Sequence, residues 1–397
     1  MRIIKYILFF LFLTGAIYSQ NSGCLPTRII LTLTKDPSHS IAITWRTKIA
    51  CDSSFVEYAL ASAKPINEEN YKINLIYTPR EQVFLDSIIG YSYSIILSDL
   101  KQNARYVYRV GKKGFWSEWN EFETASENNL PINFTYLGDP QNQLLSQIPR
   151  IFQEAYRENP KADFWLFGGD LVAEGNIDSW WNDFFKASGY IFRTIPVIAA
   201  VGNHEYRGPN RTLSLLWRSQ FNFPLNGIQG LEETNYYIDY QNIKIIILDS
   251  NTRLEEQAAW LDKLLASNKK QWVILCFHHP VYSIAEGRES AELRNIFLPI
   301  IDKYHVDLVL TGHDHAYGRT YKIKNNRVVS DDETGTVYIT SVSGPKQYKI
   351  NSLNDDLFAV KTTNKQLFQV IKVKESIMSI DVFGADGKVF DKSEIRK

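Results

Sequence analysis

LTGHDHAYG, residues 310–318, places two histidines one residue apart, shortly after an apolar run, VDLVL. The chain has 397 residues but only seven histidines, and five of these lie in short clusters with Asp, Asn or another His. In an extended loop, side chains two positions apart point to the same side, so His313 and His315 can face one point. A packed core does not need histidine placed in this way, whereas a metal site does.

Four further polar clusters follow apolar runs in the same manner. They are Gly138-Asp139 after NFTYL, Gly169-Asp170 after DFWLFG, Gly202-Asn203-His204-Glu205 after PVIAAV, and His278-His279-Pro280 after WVILCF. Loops beyond the carboxyl ends of strands in α/β sheets are where sites form, and glycine leaves room for a tight turn beside a ligand. A lone Gly-Asp is usually a turn and a lone Asn-His can cap a helix, but five clusters in this order predict a dinuclear metal site.

Two kinds of pattern divide the chain. Residues 24–125 contain short apolar or alternating runs separated by Pro, Ser, Asn and Gly, which predicts an all-β sandwich of roughly a hundred residues. A polar segment, 123–131, is a candidate linker. From 131 to 397, apolar runs alternate with helical patterns at 144–159, 254–268 and 290–304, which predicts an α/β domain. After residue 335 the helical patterns stop, and the remaining strands are expected to close a second sheet.

The charge balance argues against a polyanionic partner. Lys and Arg number 44, and Asp and Glu also number 44. No basic patch or acidic tail stands out, so no nucleic-acid partner is expected.

The N-terminus is typical of an exported protein. A basic start, an apolar run over residues 7–14 and the small residues Ala16 and Ser19 predict a secretory signal peptide at residues 1–19. The apolar run is too short for a membrane span, and no later segment is long enough to cross a bilayer. An uncleaved anchor and a lipid anchor on Cys24 are the alternatives. We therefore expect a secreted, periplasmic or cell-surface protein.

The three cysteines have different expected roles. Export makes a disulfide between Cys24 and Cys51 feasible, but the sequence does not decide whether it forms. Cys276, inside WVILCF, is expected to pack as a small hydrophobe.

The ordered motifs Gly-Asp, Gly-Asp, Gly-Asn-His-Glu, His-x-Pro and Gly-His-x-His resemble those of the calcineurin-like metallophosphoesterase superfamily. An all-β domain before the catalytic domain, and the run HHPVYSIAEG, are similar to the purple acid phosphatases within it. The resemblance covers roughly residues 25–390. It implies a fibronectin III-like sandwich at 24–125, a two-sheet αββα catalytic domain at 131–397, and hydrolysis of phosphate monoesters by a metal-bound hydroxide.

The resemblance also implies the ligands of two metal ions. By motif they are Asp139 and His315 on the first ion, His278, His313 and Asn203 on the second, and Asp170 bridging both. Carboxylate, imidazole and amide oxygen suit Fe, Zn or Mn. Two such ions, about 3.5–4 Å apart, lower the pKa of a bound water and clamp phosphate oxygens.

Several residues beside the ligands have more than one expected role. In the family, the histidine at the position of His204 faces the substrate and stabilises the transition state or protonates the leaving group; the alternative is that His204 only shapes its loop. His279 is a candidate substrate contact, with packing against the ligands as its alternative. Glu205 is expected to support the ligands. Asp314 should point away from them, either as a support or at the surface.

The sequence departs from the family at two positions. The tyrosine that binds ferric iron, three residues after the bridging Asp, is replaced by Ala173, so nothing at this position selects Fe(III). Where the family often has a proton-donating histidine, this chain has Gly287 and Arg288. Arg288 could bind a phosphate oxygen or be an exposed loop residue, but it cannot release a proton.

Two rival functions remain open at this stage. The superfamily includes diesterases, and the missing acid suits leaving groups that need little protonation, such as those of nucleotides. A phosphate-ester binding protein without catalysis is the second rival, although every inferred ligand is present. The β-sandwich could orient the catalytic domain, contribute a loop to the cleft or mediate a homodimer, and its sequence does not decide among these.

Overall fold

The computed structural model of the chain describes residues 22–85, 88–207 and 212–397. The predicted signal peptide at residues 1–19 lies outside the described residues. Within them, no helix combines the length and the apolar composition that crossing a bilayer requires.

The N-terminal part of the described chain is built from strands alone, after one 3-10 turn at Ser22–Cys24. The strands are β1 (Thr27–Thr32), β2 (Ile41–Thr47), β3 (Phe55–Leu60), β4 (Asn74–Tyr77), β5 (Arg80–Leu85), β6 (Ile88–Leu97), β7 (Arg105–Lys112), β8 (Phe115–Trp116) and β9 (Asn120–Glu123).

These strands form the predicted β-sandwich. One layer has the order β1-β2-β6-β5, and the other has the order β4-β3-β7-β8 with β9 paired to β7. Large aromatic side chains fill the space between the layers: Trp45 stacks on Tyr93 with ring centroids 5.4 Å apart, and Phe122 contacts Tyr108 at 5.7 Å. A disulfide joins Cys24 to Cys51, which the sequence had left open.

The rest of the chain mixes helices and strands, with 3-10 turns at Asn203–Glu205 and Asp355–Leu357. The helices are α1 (Ile148–Glu158), α2 (Asp178–Ser188), α3 (Ile191–Thr194), α4 (Leu215–Gln220), α5 (Leu254–Ala266) and α6 (Ala291–Tyr304). The strands are β10 (Ile132–Leu137), β11 (Phe164–Phe167), β12 (Val197–Ala199), β13 (Tyr206–Arg207), β14 (Thr212–Leu213), β15 (Tyr236–Tyr240), β16 (Ile243–Ile247), β17 (Trp272–Cys276), β18 (Leu308–Thr311), β19 (Tyr317–Thr320), β20 (Ile323–Lys324), β21 (Arg327–Val328), β22 (Val337–Thr340), β23 (Phe358–Thr362), β24 (Leu367–Lys374), β25 (Ile377–Gly384) and β26 (Val389–Arg396).

Two large mixed sheets carry the site. One contains the parallel strands β10, β11 and β12, and the other has the order β15-β16-β17-β18-β22-β19-β23, with β16, β17, β18 and β22 parallel. Their central strands are covered on both faces, so β11 and β17 are continuous buried apolar runs, and β16 is buried along its whole length with Lys244 as its one polar residue. Cys276, at the end of β17, is buried and unpaired, as predicted.

The two sheets face each other directly. The Tyr136 hydroxyl donates to the Thr311 carbonyl, and the Tyr236 hydroxyl donates to the Ala199 carbonyl, so each bond crosses from one sheet to the other. Helices cover the outer faces. On α6, Leu293, Phe297 and Ile301 are buried at four-residue spacing against the second sheet. The α/β domain is therefore the predicted two-sheet sandwich.

Two connections differ from the sequence prediction. The strands after residue 335 do not all close a second sheet: β22 and β23 join the seven-stranded sheet, but β24 pairs with β10 and brings β25 and β26 into the first sheet. In addition, β1 pairs in parallel with β12 at Thr32 and Val197, so one layer of the β-sandwich continues into the ten-stranded sheet. Strand pairing across such distances is not encoded in local periodicity. The domain limits 24–125 and 131–397 stay a prediction.

Polar contacts reinforce this junction. The guanidinium of Arg28 donates to both carboxylate oxygens of Asp178 at 2.7 and 2.9 Å, and Arg46 pairs with the same carboxylate. The hydroxyl of Tyr108 donates to the carbonyl of Arg193 at 2.7 Å. These contacts join the β-sandwich to helices α2 and α3 of the α/β domain.

Candidate metal centre

The five predicted clusters meet at the carboxyl ends of β10, β11, β12, β17 and β18. One potential ligand atom from each of Asp139, Asp170 and His278 lies within 4.8 Å of the other two, and all three side chains are buried. The loops that follow these strands of both sheets therefore meet at one point, between the ends of the two sheets.

Asn203 and His313 complete one side of this cluster. The side-chain oxygen of Asn203 lies 3.1 Å from Nε2 of His278 and 3.0 Å from Nδ1 of His313, and these two ring nitrogens are 3.2 Å apart. Oδ2 of Asp170 is 3.2 Å from the same Nε2 of His278. The three side chains predicted for the second ion thus converge, with Asp170 between them and the other side.

His315 and Asp139 form the other side. Nε2 of His315 lies 3.5 Å from Oδ2 of Asp139, while its Nδ1 donates to the carbonyl of Lys346 at 3.1 Å. Since a carbonyl only accepts hydrogen bonds, the proton sits on Nδ1 and the lone pair of Nε2 points into the cluster. Nδ1 of His278 is held in the same way by the carbonyl of Gly168, at 2.9 Å. Both histidines are therefore oriented to bind a metal through Nε2.

The backbone at these ligands is strained. Asp139, Asp170, His313 and His315 have φ values of 38°, 50°, 70° and 45°, in the left-handed region that non-glycine residues rarely adopt. Each such residue costs on the order of 1–3 kcal/mol, and such residues persist where the surrounding structure determines them.

Two glycines make room for the carboxylates. A Cβ on Gly312 would lie 2.0 Å from Oδ1 of Asp139, and one on Gly202 would lie 2.1 Å from Oδ1 of Asp170. Any side chain at either position would displace a predicted ligand, which explains why glycine stands beside these ligands.

Glu205 supports two of the loops, as predicted. Its buried carboxylate accepts hydrogen bonds from the backbone N–H groups of Asp170, Leu171, Val172 and Gly202, at 2.8–3.3 Å. One side chain therefore fixes the turn that carries Asp170 to the turn that carries Asn203.

His204 lies at the edge of the cluster. Its side chain is 31 % exposed, and its Nε2 is 3.9 Å from Oδ2 of Asp170. Its Nδ1 is 2.5 Å from the carbonyl oxygen of Ala173, and its backbone N–H donates to Oδ1 of Asp170. The side chain is thus oriented by the backbone of the residue that replaces the family tyrosine.

The remaining candidates contact the ligand loops. Nδ1 of His279 is 2.8 Å from the Ser250 hydroxyl, and its ring lies 4.3 Å from the ring of His313, so it packs against a predicted ligand. The guanidinium of Arg288 donates to the carbonyl of His313 and lies over the ring of Tyr348, with only 29 % of its side chain exposed. Arg288 therefore braces the loop of His313, and the alternative of a free surface residue is wrong.

Asp314 is not at the surface. It is fully buried, and its Oδ2 accepts hydrogen bonds from the Ser283 hydroxyl and from the N–H groups of Ile284 and Ala285. This pairing ties the loop of His313 and His315 to the segment after His278. Of the two alternatives for Asp314, support is confirmed.

Burial and neighbouring charges shift the pKa values of the predicted ligands. Burial raises the pKa of the Asp139 carboxyl to about 8, and the electrostatic attraction of His278, which lowers the pKa, offsets this only in part. Burial opposes ionisation of Asp170 as well, but His278 and His204 hold its pKa below the usual range. The pKa of His278 rises to about 10, since Asp170 and Asp139 outweigh burial. Burial lowers the pKa of His315 to about 3 and also lowers that of His313, so both are neutral, the form that binds a metal.

The residues fit metal ions on two observations. Oδ2 of Asp139 is buried and makes no hydrogen bond within the described structure. Burial without a partner disfavours the ionised form of this carboxyl and raises its pKa, and a bound cation would favour the ionised form. The donor set of carboxylates, imidazoles and an amide oxygen suits Fe, Zn or Mn rather than soft metals.

One residue of the cluster was missed by sequence reasoning. Gln141 is fully buried, and its Nε2 lies 2.7 Å from Oδ2 of Asp170 and 3.2 Å from Nε2 of His315. The only signal was its position, two residues after Asp139 in the first motif. Ser250, which binds His279, follows β16 and had no signal of its own.

Comparisons with known proteins agree with this architecture. Residues 132–317 match the calcineurin-like phosphoesterase family, and residues 26–124 match the purple acid phosphatase N-terminal domain. Purple acid phosphatase 18 of Arabidopsis thaliana is 25% identical over 340 residues, covering 82% of this chain and 73% of that protein. Phosphoenolpyruvate phosphatase of Allium cepa is 26% identical over 360 residues, covering 81% and 70%. The structure of purple acid phosphatase PPD1 from yellow lupin seeds superposes with a TM-score of 0.79 at 21% identity, covering 94% of this chain and 74% of that one.

Proposed function

As a purple acid phosphatase-like member of the calcineurin-like phosphoesterase superfamily, the chain is a metal-dependent phosphatase, and we propose that it hydrolyses phosphate monoesters at a centre of two metal ions. The observation that carries this proposal is the convergence of Asp139, Asp170 and His278 within 4.8 Å, with Oδ2 of Asp139 left without a hydrogen bond. Asn203, His313 and His315 surround these three side chains.

Six side chains would hold the ions. Asp139 and His315 lie on one side of the cluster, His278, His313 and Asn203 lie on the other, and Asp170 lies between the two sides. When bound, two such ions supply a water of lowered pKa as the nucleophile and positive charge for the phosphate oxygens. Little covalent chemistry is then left to the protein, so its contribution is to position groups and stabilise charge.

His204 is the residue that can move a proton at the open edge of the cluster. Because Nδ1 donates to the carbonyl of Ala173, Nε2 is the ring nitrogen left for the substrate, 3.9 Å from Oδ2 of Asp170. In the imidazolium form Nε2 carries a second proton, which can pass to the oxygen of the leaving alcohol, or stay and donate a hydrogen bond to a phosphate oxygen. Both roles place His204 against the substrate and need no other acid.

Iron, zinc and manganese are the proposed metals. All six predicted ligands offer nitrogen or oxygen, and the described thiol, Cys276, is buried in the core. Ala173 supplies no phenolate, so the site has no tyrosine at this position to favour Fe(III).

A diester or nucleotide substrate is the second candidate. Arg288 stands where the family often has a proton donor, and its guanidinium is bound to the carbonyl of His313, so it releases no proton. A site with fewer proton donors favours substrates whose leaving groups need little protonation. An enol phosphate, the substrate class of the Allium cepa relative, has such a leaving group and is itself a monoester.

We also propose export from the cytoplasm. The disulfide between Cys24 and Cys51 supports this proposal, since such bonds persist in oxidising compartments. Expression of the full chain with fractionation of the culture tests it: mature protein beginning near residue 20 outside the cytoplasm agrees, and intact protein inside the cell contradicts it.

The substrate class is tested by hydrolysis of a nitrophenyl phosphate monoester and the matching diester, side by side across pH. The mature chain is stripped with a chelator and reloaded separately with Fe, Zn or Mn. Faster monoester turnover, with an enol phosphate also hydrolysed, supports the proposal. Faster diester turnover moves the protein to the second candidate.

A further inference from the structure

A cavity of about 720 Å³ opens beside the metal centre but apart from its ligands. Its walls are the residues around the start of α1, the loop that follows β22, the loop between β23 and β24, and the hairpin of β25 and β26. The six predicted metal ligands, all among the described residues, do not line it. Ligand pockets in proteins typically enclose about 300–1000 Å³, so the cavity is large enough for a small molecule.

Positive charge prevails in this cavity. Arg150, Lys365 and Lys388 line it, and Asp386 is the carboxylate among its described lining residues. Lys388 lies 3.8 Å from Asp386, but the two side chains are 84 % and 52 % exposed, so this pair is weak. Within the described structure, Arg150 and Lys365 form no ion pair. A concave site with unpaired cations attracts anions.

The other lining groups suit the body of a phosphate ester. The amides of Gln347 and Gln366 line the cavity, and Nζ of Lys365 lies 5.3 Å from the centre of the Phe390 ring. A guanidinium can bind two phosphate oxygens and an ammonium adds a point charge. Amides can bind hydroxyl groups, and an aromatic ring can pack against an apolar face. This set of groups fits a phosphate group with a small organic body.

One chain segment separates the cavity from the metal centre. Gln347 lines the cavity, while the carbonyl of Lys346, next to it, accepts a hydrogen bond from Nδ1 of His315 at 3.1 Å. The N–H of Gly344 donates to the carbonyl of Asp139 at 3.0 Å, and the amide of Gln347 donates to the carbonyl of Gly344 at 3.2 Å. This segment therefore contacts two predicted ligands of the first ion on one side and the cavity on the other.

We propose that the cavity is a second phosphate-binding site, which holds a phosphate group through Arg150 and Lys365 and influences the metal centre through residues 344–347. The binding is independent of the proposed function, whereas its effect on hydrolysis rests on that function. A bound anion attracts Lys365 and competes for the amide N–H groups of Gln347, which donate to the carbonyls of Gly344 and Lys365. The support behind the ligands of the first ion is then loosened, so occupancy of the cavity slows turnover.

Calorimetric titration of the metal-loaded full chain with inorganic phosphate tests the site. The wild type should show two binding events, one at the metal centre and one in the cavity. The double variant Arg150→Gln with Lys365→Gln should weaken the cavity event at least about tenfold and keep the other. Asp170→Asn should instead lose the event at the metal centre. The matched control, Lys372→Gln with Lys374→Gln, removes the same charge from exposed positions of β24 outside the cavity and should keep both events.

Asp386→Asn provides a change in the opposite direction. Removal of this carboxylate from the cavity should tighten the cavity event at least about twofold and leave the event at the metal centre unchanged. Phenylphosphonate, which is not hydrolysed, distinguishes two sources of the phosphate group. Cavity binding tighter than that of inorganic phosphate indicates a phosphate ester as the natural ligand, and weaker binding indicates free phosphate.

The effect on turnover is measured as kcat for nitrophenyl phosphate at rising concentrations of inorganic phosphate. Saturating substrate displaces phosphate from the metal centre, so a fall in kcat reports the cavity. The account expects a fall of at least about twofold in the wild type and the control, and a constant kcat in the double variant.

The outcomes separate this proposal from the proposed function. A cavity event of unchanged affinity in the double variant overturns the proposal and leaves the metal centre intact. A single event that disappears in Asp170→Asn, or a kcat in the wild type that phosphate does not change, does the same. A wild type that binds phosphate only in the cavity and shows no turnover overturns the proposed function instead.

Discussion

Nδ1 of His204 donates a hydrogen bond to the carbonyl oxygen of Ala173 across 2.5 Å. The bond fixes the tautomer and the direction of the ring of this partly exposed side chain, and Nε2 lies 3.9 Å from Oδ2 of Asp170. Ala173 lacks the phenolate that the family has at this position, but its backbone carbonyl still orients His204, the proposed acid. The loss of the tyrosine ligand therefore does not prevent proton transfer by His204.

Replacement of His204 by Asn should slow hydrolysis in a way that depends on the leaving group. Loss of a positioned acid typically costs about 10²–10⁴-fold in rate. An alkyl phosphate, whose alkoxide must be protonated, should lose at least tenfold more in kcat/KM than a nitrophenyl phosphate. Equal losses for the two substrates would show that His204 only shapes its loop. His39→Asn, in the N-terminal part and partly exposed, is the control and should change neither rate.

The iron-loaded protein should show no strong visible absorption band. Ala173 provides no phenolate, and two tyrosines near the motifs are engaged elsewhere: the Tyr136 hydroxyl donates to Thr311, and the Tyr317 hydroxyl donates to Asp391. An absorption spectrum of the protein reloaded with iron in air checks this directly. An intense purple or pink colour would contradict the account of position 173.

Glu205→Gln should weaken metal binding although Glu205 is not a proposed ligand. The carboxylate accepts N–H groups from two loops, and an amide would turn an NH₂ group toward some of those donors. Loss of such a supporting partner typically costs 10–100-fold in metal affinity, and we expect a loss of about this size. Calorimetry with Zn²⁺ measures it. Unchanged affinity together with an unchanged melting temperature would show that the loops are held by other contacts.

Asp163 should make stability depend on pH. Burial raises its pKa to about 6, although its carboxylate accepts hydrogen bonds from the N–H of Asn133 and the hydroxyl of Tyr240. The folded protein therefore holds this proton more tightly than the unfolded chain, and stability falls as pH rises from about 4 to about 6. The size of the effect is on the order of 1–3 kcal/mol.

Asp163→Asn lacks this titration and isolates its effect. The free energy of unfolding of the variant minus that of the wild type should be about 1–3 kcal/mol larger at pH 7 than at pH 4, because only the wild type loses the stabilising proton. Urea unfolding of both proteins, followed by tryptophan fluorescence, gives the difference, in which the titrations they share cancel. A difference that is the same at both pH values would refute the assignment.

The sequence was sufficient to predict the side chains that meet at the cluster. Each cluster is local, and the rule that sites form beyond strand ends placed them together without any long-range information. Asp139, Asp170, Asn203, His278, His313 and His315 all lie where this rule expects them.

What the sequence did not reveal depends on contacts between distant residues. Gln141 gave no signal beyond its position in the first motif, because its approach to Asp170 and His315 arises only when three loops meet. Arg288 fitted a surface loop until its partner, the carbonyl of His313, was placed beside it. The pairing of β24 with β10 was not predicted for the same reason, since an alternating strand can add to either sheet.

The most direct test of the central claim is the initial rate of nitrophenyl phosphate hydrolysis by four samples purified identically. They are the wild type stripped of metal, the wild type reloaded with Zn, Mn or Fe, and Asp170→Asn before and after the same reloading. The account predicts turnover only in the reloaded wild type, with the other samples at least about 10³-fold slower, the loss expected when charge stabilisation at the reacting phosphate is removed. Reloaded wild type that binds two ions without turnover, or Asp170→Asn that keeps the full rate, would contradict it.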